Sequence, residues 1–110
     1  MIAQKYKIRS KPRVLHILKK GHTSRWGVFY FRRLPNRTGH PRFTIILSKK
    51  NGRKAIERNV VRRRIYEAIR KNFNMCEKTC YDVVVLCSAR IAQMNFAQIE
   101  RDMILGLKKL

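Results

Sequence analysis

Acidic residues are what this sequence has least of. Only six of its 110 residues are Asp or Glu, against 27 Lys and Arg, for a formal net charge of +21. None of the six precedes Glu57, so residues 1–56 carry no negative charge at all. That shortage argues against a hydrolase built on paired carboxylates and against a two-metal phosphoryl-transfer centre, both of which need acids gathered round a cleft. Long apolar runs are also missing. No stretch nears the roughly 20 apolar residues of a membrane span, and the opening Met-Ile-Ala-Gln-Lys has no apolar run of the secretory kind. With three cysteines and no export signal, the expectation is reduced thiols in the cytoplasm. Cys76 and Cys80 could meet on a helical turn, yet no second Cys/His pair completes a tetrahedral zinc site, and Cys87 reads as a small buried strand residue. His16, His22 and His40 are scattered, and none has a partner placed to make it a general base. No catalytic residue is assigned, and no organic cofactor is expected.

What remains is cationic and foldable. A length of 110 residues suits one domain with one modest core. The apolar fraction of 45% is concentrated in periodic segments, unlike a disordered basic tail. The excess of positive charge is best rewarded by polyphosphate, since each neutralised phosphate releases condensed counterions. A membrane surface would need a long amphipathic helix or a lipid signal, and neither is evident.

Along the chain, residues 1–11 read as a basic flexible arm and 12–110 as a single α/β domain. Val14, Leu15, Ile17 and Leu18 have helical spacing, with Ser10 as cap, Pro12 in the first turn and Gly21 at the end. Arg25 to Arg33 and Arg42 to Ser48 read as strands, most simply a hairpin, with Phe43, Ile45 and Leu47 on one face. In the first of them, Tyr30 and Arg32 share a face that reads equally as a single-strand RNA platform, with a stacking surface and a charge, or as an ordinary half-buried strand face. A helix from about Ala55 has its apolar seam at Val61, Ile65, Ala68 and Ile69, with Asn59, Arg63, Tyr66 and Arg70 along one flank. Tyr81 to Ser88 is almost continuously apolar, the pattern of an interior strand. Asn95 and Gln98 form a capping box for a last helix through Ile99, Met103 and Leu107. The expected order is α-β-β-α-β-α.

The chemistry lies in Ser48 to Arg70. Lys49, Lys50, Arg53 and Lys54 surround an Asn51-Gly52 turn whose backbone N–H groups, at a helix start, make a candidate anion nest. Arg58, Arg62 and Arg63 follow on the helix and can grip phosphate oxygens in pairs. With Asn59, Tyr30 and Arg32 they complete the set of candidate RNA-binding residues. So dense a run with so few balancing acids points to RNA contact rather than to a solvated face.

The run Ser48-Lys49-Lys50, Gly52, and Lys54-Ala55-Ile56-Glu57-Arg58-Asn59-Val60-Val61-Arg62-Arg63 resembles the signature of the bacterial ribonuclease P protein subunit. The likeness extends over about residues 10–107 in the order of elements. It implies an α+β fold, a two-layer α/β sandwich like the second domain of ribosomal protein S5, with a left-handed βαβ crossover. It also implies two RNA partners: the catalytic RNA subunit of ribonuclease P, and precursor tRNA, whose single-stranded 5′ leader is held in a cleft between the first helix and the sheet. Hydrolysis then belongs to the RNA and its Mg2+ ions. By the same resemblance Val14 and Leu18 join Tyr30 and Arg32 at that cleft. The chain departs from the signature at Val60, where a second arginine is usual, and in having one residue more between Gly52 and Ala55. Val14 and Leu18 also align where the family often has phenylalanine. The alternatives are a ribosomal or ribosome-assembly protein of similar charge, a DNA-compacting protein and, against the missing acid cluster, a protein-only nuclease.

Overall fold

The computed structural model describes residues 2–110. Helix α1 spans Lys11–Lys20. Its Ser10 cap accepts a hydrogen bond from the Arg13 N–H at 3.2 Å, Pro12 occupies the first turn, and the Gly21 N–H donates to the Ile17 carbonyl at 2.7 Å. Strand β1 (His22–Trp26) turns at Gly27-Val28 into β2 (Phe29–Pro35). Gly27 is required there twice over. Its φ is +59°, and a Cβ would lie 2.3 Å from the Asp102 carboxylate. That carboxylate accepts from the Val28 N–H at 3.0 Å and ties the turn to the last helix.

Strand β3 (Arg42–Ile45), helix α2 (Ala55–Lys71), strand β4 (Tyr81–Cys87) and helix α3 (Phe96–Leu107) complete the fold. The four strands are ordered β1-β2-β4-β3, with β4 antiparallel to β2 and parallel to β3. The connection through α2 spans the length a parallel pair requires. Phe29, Phe31, Phe43, Val83 and Val85 face α2 and α3, meeting Val61, Ile65, Ile69, Ile99 and Met103 in the main core. The opposite face carries a smaller cluster, in which Ile17, Val14 and Leu18 of α1 pack with Val84, Leu34, Ile46 and Leu86. Because α1 covers only part of this face, a cleft stays open beside it.

Three expectations are corrected. The run Arg25 to Arg33 is two strands and not one, because the Gly27 turn breaks it, so the order is α-β-β-β-α-β-α. Arg42 to Ser48 does not hairpin with the preceding strand, and its regular part ends at Ile45. The intervening β4 is apolar on both faces, so it takes the central place and separates β2 from β3. Residues 2–10 do not hang loose. Ile2 and Ile8 are buried, Tyr6 packs at a tilt against Phe73 with centroids 4.3 Å apart, and the Ile8 N–H donates to the Phe43 carbonyl at 2.9 Å. Scattered among lysines and arginines, these three apolar anchors form no periodic pattern in the sequence. Met1, also assigned to the arm, lies outside the described residues.

Candidate nucleic-acid interface

The basic stretch begins as a short 3-10 turn, Lys49–Asn51, fixed from beneath. Asn51 is buried; its Oδ1 accepts from the Ser48 N–H at 3.0 Å, and its Nδ2 donates to the Cys87 and Ser88 carbonyls at 3.3 and 3.1 Å. The turn is therefore clamped to the end of β4 while Lys49 and Lys50 project into solvent. Beyond it, Gly52 adopts φ +156°, and a Cβ there would press on the Arg58 backbone N–H at 3.0 Å. The expected anion nest is already occupied from within. Glu57 accepts from the Arg53 and Lys54 N–H groups at 2.9 and 3.5 Å, because a carboxylate on the first turn satisfies orphan donors and the helix dipole together. What the turn offers a ligand is the exposed side chains of Lys49, Lys50, Arg53 and Lys54.

Along α2 the arginines differ in employment. Arg58 folds back, donating from Nη1 to the Gly52 carbonyl at 2.8 Å and the Arg53 carbonyl at 3.2 Å, so it braces the turn. Arg62 donates to Asn59 Oδ1 at 3.1 Å and keeps its other donors, and Arg63 is exposed. Asn59, Arg62 and Arg63 line a depression of about 470 Å³ with Lys7, Ile56 and Tyr66. Burial raises the pKa of the Tyr66 phenol above its ordinary value, against the opposing pull of Arg62. Arg70 is paired with Glu67 through its Nε at 3.1 and 3.0 Å. Arg64 reaches the Met94 carbonyl at 3.5 Å, beside Val60.

The second concavity, about 440 Å³, lies on the sheet face left open by α1. Tyr30 and Arg32 form its wall, Ile46 and Leu86 its apolar floor, and Lys50 and Thr23 its rim. Arg32 is held in place by bonds to Thr23 Oγ1 and, at 3.4 Å, the Ile17 carbonyl. The Arg25 guanidinium lies 5.2 Å from the Tyr30 ring centroid across the β1–β2 pair. Tyr30, Arg32 and Lys50 are thus brought together. Val14 and Leu18 do not line this concavity; they are spent on holding α1 to the sheet.

Sequence reasoning missed Asp82. It is fully buried in β4 and accepts four hydrogen bonds from three residues: Arg13 Nε at 2.8 Å, Arg42 Nε at 2.8 Å and Nη2 at 2.6 Å, and Asn36 Nδ2 at 2.8 Å. Burial alone would raise its pKa, but the bonds from Arg42, Arg13 and Asn36 together outweigh it and hold the carboxyl below its usual range. The available signal was a single acid inside an otherwise apolar strand. The buried thiols are inert by the same logic of burial: Cys76 is pushed up to about 12 and Cys87 to about 11.

Most of the few acids are engaged internally. Asp82 holds arginines, Asp102 a backbone N–H, Glu57 the start of α2, Glu67 Arg70, and Glu100 the Asn72 amide at 2.9 Å. Of the cations left over, Lys50 lies at the cleft, and Lys7, Arg62 and Arg63 line the hollow beside α2. That arrangement can bind a phosphate chain and stack an unpaired base; it assembles no nucleophile with a base.

A family model described as Ribonuclease P matches residues 2–110. A relative from Clostridioides difficile, the ribonuclease P protein component, is 36% identical over 83 residues, covering 76% of this chain and 70% of that one. The protein component from Idiomarina loihiensis is 31% identical over 65 residues, covering 59% of this chain, and the match spans 50% of that relative's length. In fold, the chain is similar to the solved ribonuclease P protein of Thermotoga maritima, with a TM-score of 0.84 at 24% identity over 94% of this chain and 96% of that one.

Proposed function

The chain belongs to the ribonuclease P protein family, and from that premise we propose that it binds the catalytic RNA subunit and the 5′ leader of precursor tRNA to promote 5′-end maturation. It serves the ribonucleoprotein endonuclease as a subunit that performs no hydrolysis itself. One observation carries the reading: Arg32 and Lys50, neither paired with a carboxylate among the described residues, stand with Tyr30 at a cleft with an aromatic wall.

In this reading the leader enters the cleft as a single strand. A base stacks on Tyr30 or against the apolar floor of Ile46 and Leu86, and Arg32 and Lys50 take the flanking phosphates. Lys49, Arg53, Lys54, Arg62 and Arg63 neutralise phosphates outside the cleft, relieving repulsion between two RNA molecules so that the precursor binds at lower magnesium. The protein's contribution is positional: it holds the scissile region in register with a catalyst it does not itself contain. Divalent metal chemistry comes with Mg2+ held by RNA phosphates; among the described residues neither concavity is lined by a carboxylate. Membership of the family favours this assignment over a ribosomal protein, and a cytoplasmic location accords with it.

The test is single-turnover cleavage of a precursor tRNA at low and high magnesium. The protein alone should leave the precursor intact, and adding it to the catalytic RNA should restore 5′ cleavage at low magnesium. Cleavage by the protein alone would sink the reading, as would a catalytic RNA indifferent to it.

A further inference from the structure

One exposed apolar residue is out of place on the basic edge. Ile56 keeps 69% of its surface in solvent, although it sits on the first turn of α2 among cations. It lines the depression of about 470 Å³ with Asn59, Arg62, Arg63, Tyr66 and Lys7, and that hollow shares no lining residue with the Tyr30 cleft. Lys7 arrives from the N-terminal segment. Its neighbour Ile8 is bonded to the Phe43 carbonyl, and the Lys7 ammonium lies 4.7 Å from the Tyr66 ring centroid. The docked segment thus completes the hollow with a third charge opposite the two arginines.

A rail of duplex phosphates would need the charges alone and would leave the isoleucine with no apolar surface to cover it. An unstacked base needs both kinds of surface. We infer that this hollow is a second single-nucleotide site, which takes one unpaired, extruded nucleotide of RNA; the inference rests on the RNA-binding reading above. The base lies against the Ile56 side chain and the edge of Tyr66. Asn59 is exposed and its Oδ1 is engaged by Arg62, so its amide N–H groups are the donors it can offer to a carbonyl oxygen or ring nitrogen of the base. Lys7, Arg62 and Arg63 take the phosphates on either side.

The test compares wild-type protein, Ile56→Ser and Lys7→Gln for affinity toward the catalytic RNA, toward precursor tRNA, and toward a fully paired RNA duplex. Losing the apolar contact of the isoleucine with the base costs about fivefold or more in affinity. Ile56→Ser should therefore weaken binding of one of the first two RNAs by about that factor, leaving its salt dependence and duplex binding unchanged. The affected arm identifies which RNA supplies the nucleotide. Lys7→Gln should lower the salt slope for the same RNA by about one contact. The inference is overturned if Ile56→Ser leaves both affinities unchanged, or weakens the duplex equally. Because Ile56 is exposed, its replacement spares folding, which an unchanged unfolding midpoint checks. If the wild-type protein stimulates cleavage while Ile56→Ser binds normally, the second site fails and the functional reading stands; absent stimulation defeats the reading itself.

Discussion

Two groups of arginines in this molecule do opposite work. Beneath α1, Arg13 and Arg42 converge on the buried carboxylate of Asp82 and are used up in holding β3, β4 and the helix together. On the outer edge of α2, Arg62 is partly and Arg63 fully open to solvent; among the described residues neither meets a carboxylate, and Arg62 has Asn59 as an acceptor. The residue type is the same and the counter-ion differs. Internal acid makes an arginine part of the fold; its absence leaves the arginine for an anionic partner. In a chain with six acids, where the acids are spent decides which of the many cations can bind RNA.

The comparison breaks most visibly at Asp82. Asp82→Ala strands two guanidinium groups that are 27% and 28% exposed, and should cost about 3 kcal/mol in denaturant unfolding. RNA binding by the fraction still folded should keep its salt dependence. The same carboxylate predicts an acid limb. Its folded pKa lies below the unfolded value, so its stabilisation is fully present above the ordinary aspartate value of about 3.9 and is lost as pH falls through the lower folded one. Unfolding measured against pH should show that loss below about pH 4, and Asp82→Asn should flatten it.

A smaller effect separates the cleft from both arginine groups. Tyr30→Leu keeps apolar bulk but removes the stacking ring, and should weaken a precursor carrying a leader by about 1 kcal/mol relative to a leaderless tRNA. An equal effect on both substrates would take Tyr30 off the leader path. Arg58 is the sharpest intermediate case. It lies within the basic stretch yet donates to the Gly52 and Arg53 carbonyls, so Arg58→Ala should cost about 1 kcal/mol of stability and leave the salt slope for RNA nearly unchanged. A drop of a full unit in slope would return it to the RNA-facing group.

Much of this was legible in the sequence where one residue decides locally. Ser10, Pro12 and Gly21 bound α1, Asn95 and Gln98 cap α3, and the apolar run at Tyr81 announces the central strand. The alternation of Phe29 and Phe31 with Tyr30 and Arg32 separates the buried face of β2 from its partly open one. Illegible were the matters that depend on distant partners. Nothing local says that Arg58 will fold onto its own turn while Arg62 stays out, or that Asp82 will collect donors from 40 and 69 residues away. Pairing of β3 across β4 is likewise a tertiary choice, made by the strand that is apolar on both faces.

The salt dependence of binding to the catalytic RNA tests the division of labour most directly. For Arg62→Ala/Arg63→Ala, the slope of log K against log salt should fall by roughly one unit for each lost phosphate contact, with the unfolding midpoint unchanged. A slope identical to wild type, or a loss of stability in place of a loss of slope, would contradict the account.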